Sequence, residues 1–230
     1  MIPIRDINPT RTFPLITITL IALNISVFLY ELVLQGRGEL VLAKFIYANG
    51  VTPYEITHNV DLPPSSPGSV YVTFLSSLFL HAGFVHIIGN MVYLWIFGNN
   101  VEDRLGHLAF LFFYLLAGLG AALAQIAVNV NSTIPSIGAS GAIAGILAAY
   151  LIMFPRAQIY TLLILGYIIR MVRLPAIVVI GFWLVLQFFN GVASLGAREV
   201  GGVAWFAHIG GFVAGLALVP IFGRRRRFGL

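Results

Sequence analysis

Six apolar runs divide this chain, at residues 14–34, 85–101, 108–128, 140–154, 174–192 and 203–222, and few charges interrupt them. Crossing a hydrocarbon core takes about 20 residues of α-helix, so each run reads as a membrane span. Only 9% of the 230 residues are charged and 59% are hydrophobic, whereas a soluble domain carries about 25% charged residues. No soluble core of this size hides so much apolar surface. The fold class is therefore an all-α membrane protein, a six-helix transmembrane bundle, with 1–230 as a single domain. Thr12 reads as the cap of the first span and Pro14 as part of its first turn, where proline is tolerated. The start does not read as a cleavable signal peptide, because the apolar run after it is too long and more spans follow.

The connection at 35–81 holds Gly36, Gly38, Pro53, Pro63, Pro64 and Pro67, so it is not one continuous helix. Its apolar stretches, 40–47 and 70–80, make it a structured loop partly sunk in the interface. Residues 159–169 are also apolar and read as a helix extension or an interfacial piece. Six spans put both termini on one side. Arg5, Arg11, Arg104, Arg156, Arg170, Arg173 and Arg224 to Arg227 then share that side, against Arg37, Lys44 and Arg198 on the other. This excess makes the short segment 1–12 and the basic tail 223–230 cytoplasmic. The terminal arginines set topology or touch anionic lipid; no nucleic acid partner is expected. With no cysteine, disulfides, thiol catalysis and cysteine-bound metals are excluded. His81 and His86 lack a third ligand nearby, so no metal is expected.

The chemistry lies where polar groups are costly. Gly138-Ala139-Ser140-Gly141 opens the fourth span, which is only about 22 Å long at 1.5 Å per residue. Irregular backbone at membrane depth is tolerated inside protein or beside a wet cavity, so Ser140 is expected at the floor of a wet pocket. His208 lies at matching depth in the sixth span. Gly141 and Gly145 share one helix face, and Gly211 and Gly215 share a face with His208, so two backbones can approach closely and bring the serine to the imidazole. A serine hydroxyl needs such a base, and donors for the oxyanion. His86 and Asn90, one turn apart on the second span, are candidate donors beside the Ser140 N–H. The blander readings are a small-residue packing face, an interior hydrogen-bonded histidine and a polar pair that stabilises helix packing. His81 reads as structural, and His58 and His107 as loop residues.

These residues resemble the rhomboid family of intramembrane serine proteases. The resemblance rests on His81-x-x-x-x-His86-x-x-x-Asn90, Glu102-Asp103-Arg104-Leu105-Gly106, Gly138-Ala139-Ser140-Gly141 and Ala207-His208-x-x-Gly211-x-x-x-Gly215, in the order of a basic six-span member. It implies a dyad of Ser140 as nucleophile and His208 as general base, without an aspartate. It also implies an oxyanion hole from His86, Asn90 and the Ser140 N–H, and a membrane-embedded first loop. The fifth helix and the loop 193–202 would form the gate and cap for substrate. Substrates would be single-span membrane proteins with small or helix-weakening residues near the cut, acted on within the lipid bilayer and without a cofactor. The expected location is a prokaryotic inner membrane. Two departures stand out: the first loop has no Trp-Arg pair, and Ala144 replaces an aromatic ring that in some members packs on the histidine. The rivals are a rhomboid-like pseudoprotease that binds transmembrane clients, whose relatives usually lack the serine or histidine, and a small transporter, which would show internal repeats or ionisable residues across several spans.

Overall fold

The computed structural model describes residues 1–195 and 203–223. Arg198, the arginines 224–227, the tail beyond 223 and most of the loop 193–202 lie outside the described residues. In chain order the elements are β1 (Ile2–Asp6), α1 (Leu15–Arg37), α2 (Glu39–Asn49), α3 (Pro53–His58), α4 (Thr73–Ser76) between two short 3-10 turns, α5 (Phe84–Tyr93) and α6 (Asn99–Leu105). There follow α7 (His107–Val128), α8 (Ser140–Met153), β2 (Gln158–Leu165), β3 (Ile168–Pro175), α9 (Ala176–Ser194) and α10 (Trp205–Phe222). A π-helical stretch, Leu94–Gly98, joins α5 to α6. The result is a helical bundle in which α1, α7, α9 and α10 are each long and apolar enough to cross a membrane. The run from α5 through α6 forms with Val70–Phe79 a pair bent by 81°.

Helix α8 is the core. Every residue from Gly141 to Tyr150 is buried, so the helix is enclosed by its neighbours all round. Its 14 residues rise about 21 Å, short of the roughly 30 Å hydrocarbon thickness. The loop before it is tied to the first loop instead of to water: Val51 and Ser136 exchange N–H···O=C bonds, and Gly138 N–H donates to the Ser77 carbonyl at 2.8 Å.

The start of α1 has no side-chain cap of its own. Thr12, read from sequence as its cap, donates to Asp103 Oδ1 through its N–H at 2.8 Å and its hydroxyl at 2.6 Å. The cap comes from Glu102 of α6. Its Oε1 accepts the Ile16 N–H at 2.8 Å, and its Oε2 accepts the Thr17 N–H at 2.7 Å and the Thr17 hydroxyl at 2.6 Å. His107 Nδ1 also approaches Oε1 at 2.6 Å. A carboxylate at a helix N-terminus meets both the orphan donors and the positive end of the helix dipole. Burying this charge is tolerated because its lone pairs are filled.

Residues 159–169 are neither a helix extension nor a loose interfacial piece. They form much of an antiparallel hairpin, β2 with β3, turning at Gly166 and Tyr167, and β1 adds to the edge of β2. Ile-Tyr-Thr-Leu-Leu-Ile-Leu is rich in β-branched and aromatic residues, and the N-terminal segment supplies the third strand that a lone hairpin needs. The guanidinium groups of Arg5 and Arg173 both lie on the Tyr160 ring, at 4.7 and 4.9 Å. Asp6 anchors the sheet to the bundle by accepting from Tyr150 Oη at 2.9 Å and Asn100 Nδ2 at 2.6 Å. Burial raises its carboxyl above the ordinary 3.8, against the lowering effect of those hydrogen bonds.

Two outcomes are expected. Glu102→Ala leaves these four donors without an acceptor and lowers stability by about 3 kcal/mol, read as a drop in the unfolding midpoint in detergent. For Asp6, the folded state favours the protonated acid. Its contribution to docking of β1 is therefore full below 3.8 and is lost as pH rises through the raised value. Hydrogen exchange across β1 should quicken over that window in the wild type, and Asp6→Asn should flatten the response.

Candidate active site

Ser140 opens α8, and His208 lies in the first turn of α10. Below them the two helices run backbone against backbone. A Cβ on Gly215 would lie 2.5 Å from the Gly145 carbonyl oxygen, and one on Gly211 would overlap the Gly141 carbonyl. On the other side, a Cβ on Gly141 or Gly145 would lie 2.5 Å from the methyl of Ala121 or Ala117 on α7. Small residues on α7 and α10 therefore clamp α8 from two sides. The α7 face was not singled out from sequence, although Ala117 and Ala121 have the i, i+4 spacing of a packing stripe.

The clamp brings Ser140 Oγ to 2.7 Å from His208 Nε2. The other ring nitrogen, Nδ1, lies 2.8 Å from Gln187 Oε1 on α9. The Gln187 amide is oriented by its own helix, since Nε2 donates to the Trp183 carbonyl at 3.1 Å. The Trp183 and Trp205 rings lie 5.8 and 6.1 Å from the imidazole. Ala144 is fully buried and offers no ring, so these two indoles supply the aromatic contacts. Gln187, Trp183 and Trp205 were not assigned from sequence. The available signal was an amide alone on the buried side of an apolar span.

His86 and Asn90 stand against the strand of chain that leads into Ser140. Gly138 has φ +118°, a conformation that favours glycine, and a Cβ there would meet the His86 ring at 2.7 Å and Asn90 Nδ2 at 3.7 Å. His86 Nδ1 accepts the Ala82 N–H at 3.3 Å, which leaves the proton on Nε2. Asn90 Nδ2 donates to His81 Nε2 at 3.0 Å, and His81 Nδ1 donates to the Phe79 carbonyl at 3.2 Å. The buried Glu31 carboxylate accepts the His81 N–H, both oxygens at 3.2 Å. Ser140, as the first residue of α8, offers an N–H that no carbonyl of its own helix reaches. A cavity beside the hydroxyl is lined by Ser77, Leu78, Gly138, Ser140, Gly141 and Ala207. A hydroxyl on a neutral imidazole, with N–H donors near a cavity, has the components needed for acyl transfer. Among the described residues no three His, Cys, Asp or Glu side chains gather to hold a metal ion.

The profile of the Rhomboid domain matches residues 68–225. This chain belongs to the rhomboid family. Rhomboid-like protein 4 of Arabidopsis thaliana is 33% identical over 156 residues, which are 67% of this chain and 35% of that protein. Rhomboid-like protein 11, chloroplastic, from the same plant is 26% identical over 205 residues, 85% of this chain and 65% of the relative. Rhomboid protease GluP of Bacillus subtilis (strain 168) is 33% identical over 156 residues, 66% of this chain and 27% of GluP. The chain thus spans between about a quarter and two thirds of the length of these relatives. Rhomboid membership makes it an integral membrane protein of a protease family. It does not favour the prokaryotic inner membrane expected from sequence, because a chloroplastic and a bacterial relative match alike.

The glycine contact sets the site, so Gly211→Ala is expected to push α10 off α8. A displacement of about 1 Å costs on the order of 100-fold in reactivity. The rate at which Ser140 reacts with a serine-directed fluorophosphonate measures this, with the unfolding midpoint as the control for gross disruption.

Proposed function

We propose that this rhomboid is an intramembrane serine endopeptidase that uses Ser140 as nucleophile and His208 as general base. The observation that carries the reading is the 2.7 Å contact between Ser140 Oγ and His208 Nε2 inside an apolar bundle. Ser140 Oγ attacks the scissile carbonyl carbon and its proton passes to Nε2. His86 Nε2–H, Asn90 Nδ2–H and the Ser140 N–H hold the oxyanion. His208 then protonates the leaving amine, leaving an acyl ester on Ser140, which a water activated by the same imidazole hydrolyses. No carboxylate bonds His208 among the described residues, so the imidazolium gains no charge partner and turnover is slow.

The substrates are single-span membrane proteins. A peptide bond inside a helix is hidden by its own hydrogen bonds, so the chain must unwind before attack, which residues of poor helix propensity such as glycine or proline make easier. The arginine balance of the sequence supports a reading with both termini in the cytoplasm. The GASG and AH motifs favour a protease over a client-binding relative, because both reacting side chains are present.

In liposomes, a single-span reporter with small residues near its outer end should be cut within the span by the wild type. Ser140→Ala and His208→Ala should each lower the rate by at least about a thousandfold, as sized by mass spectrometry of the products. Equal cleavage by all three proteins would refute the dyad. A wild type that binds the reporter without cutting it would move the assignment to a client binder.

A further inference from the structure

We infer that Gln187 is a positioning residue for His208: its side-chain carbonyl fixes the imidazole tautomer and so ties the competence of the base to the seating of α9. The inference rests on the dyad reading and adds a third participant from a different helix.

Two hydrogen bonds on opposite sides of the imidazole carry it. Gln187 Nε2 donates to the Trp183 carbonyl, so the amide cannot turn over without losing that bond, and Oε1 faces the ring. Oε1 is an acceptor only. The nitrogen 2.8 Å from it, Nδ1, therefore carries the ring proton. Nε2 is then left with its lone pair, and that lone pair faces the Ser140 hydroxyl at 2.7 Å. The other tautomer would set the Nδ1 lone pair against Oε1 and an N–H against Ser140. One amide thus selects the form of the ring able to take the serine proton, the role an aspartate plays in a triad, but without the charge.

Burial and placement support the same role. Gln187 is 6% exposed and His208 is 8% exposed. Gln187 is the one polar side chain buried on α9, and an amide kept out of water in an apolar span is costly unless it is bonded. Trp183, one turn earlier on the same helix, also packs on the ring. Two of the groups holding the imidazole therefore ride on α9, whereas the imidazole itself is on α10. The opposite side of α9 is bare: Phe182, Val185, Leu186, Phe188 and Phe189 are all exposed. A sideways displacement of α9 takes the acceptor away from Nδ1 and frees the ring to change tautomer. The base is set only while α9 is docked.

The test uses the full chain in liposomes and a fluorophosphonate probe, which needs no knowledge of the substrate: Ser140 Oγ bonds phosphorus, fluoride leaves, and the imidazole takes the hydroxyl proton. Wild type, Ser140→Ala, Gln187→Met and Gln187→Glu are compared. Ser140→Ala should not label. Gln187→Met keeps the length but removes the acceptor, and should label about tenfold to a hundredfold more slowly. Gln187→Glu restores an acceptor for Nδ1–H and should recover most of the rate. With a cleavable reporter, Gln187→Met should lower kcat and leave KM unchanged. Nitrogen-15 spectra of histidine-labelled protein should show the His208 proton on Nδ1 in the wild type and mixed tautomers in Gln187→Met. A wild type that does not label refutes the dyad and this inference with it. Labelling of Gln187→Met at the wild-type rate overturns this inference alone, as does equal loss in the Met and Glu variants. Should Gln187→Met fail to fold, a wild-type spectrum with the proton on Nε2 overturns it independently.

Discussion

Helices α8 and α10 can meet as they do only because neither carries a Cβ at the crossing. In a bilayer, burying apolar side chains against one another gains little over burying them in lipid, so association depends on close packing and on hydrogen bonds. The carbonyls of Gly141 and Gly145 lie against Gly211 and Gly215, closer than any side chain would allow. That contact decides where Ser140 and His208 end up, since each is within one turn of it. It also explains why α8 can be short. A helix enclosed by α7, α10, α9 and the Leu94–Gly98 stretch with α6 need not reach the full thickness of the hydrocarbon, and its recessed N-terminus is where a polar cavity is tolerated.

The second organising rule is that three acidic side chains, Glu102, Glu31 and Asp6, each answer to a distant part of the chain. Glu102 serves the backbone of α1, Glu31 serves the backbone before α5, and Asp6 takes its donors from Asn100 and the foot of α8. These bonds join segments far apart in sequence, so they fix the relative heights of helices that shape alone would allow to slide. The Asn90, His81 and Phe79 chain does this locally. It uses one Nδ2 proton of Asn90 on His81 and leaves the other for the side facing Gly138.

Much of this was legible in the sequence, because its signals are local or periodic. The apolar runs gave the helical bundle, and the glycine spacing with Ser140 and His208 pointed to one pair of helix faces. What escaped was set by partners with no sequence relation to the residue. Nothing near Thr12 says that a carboxylate from α6 replaces it as the cap of α1. Nothing in residues 159–169 alone says that the N-terminal segment will pair with them, although their β-branched content was visible. Gln187 was passed over inside an apolar run because its meaning depends on a histidine on another helix. The family's aromatic contact on that histidine looked lost at Ala144, yet it comes from two tryptophans, one of them a turn before Gln187.

The cap on α1 bears on the order in which the protein is built. Chain synthesis delivers the first span to the bilayer well before Glu102 exists, so during that interval the N–H groups of Ile16 and Thr17 have no carboxylate to receive them. The first helix becomes anchored at its lower end only when the second span has threaded far enough to bring α6 alongside. The contact between Glu102 and the start of α1 closes the intervening chain, the whole first loop included, into a single ring.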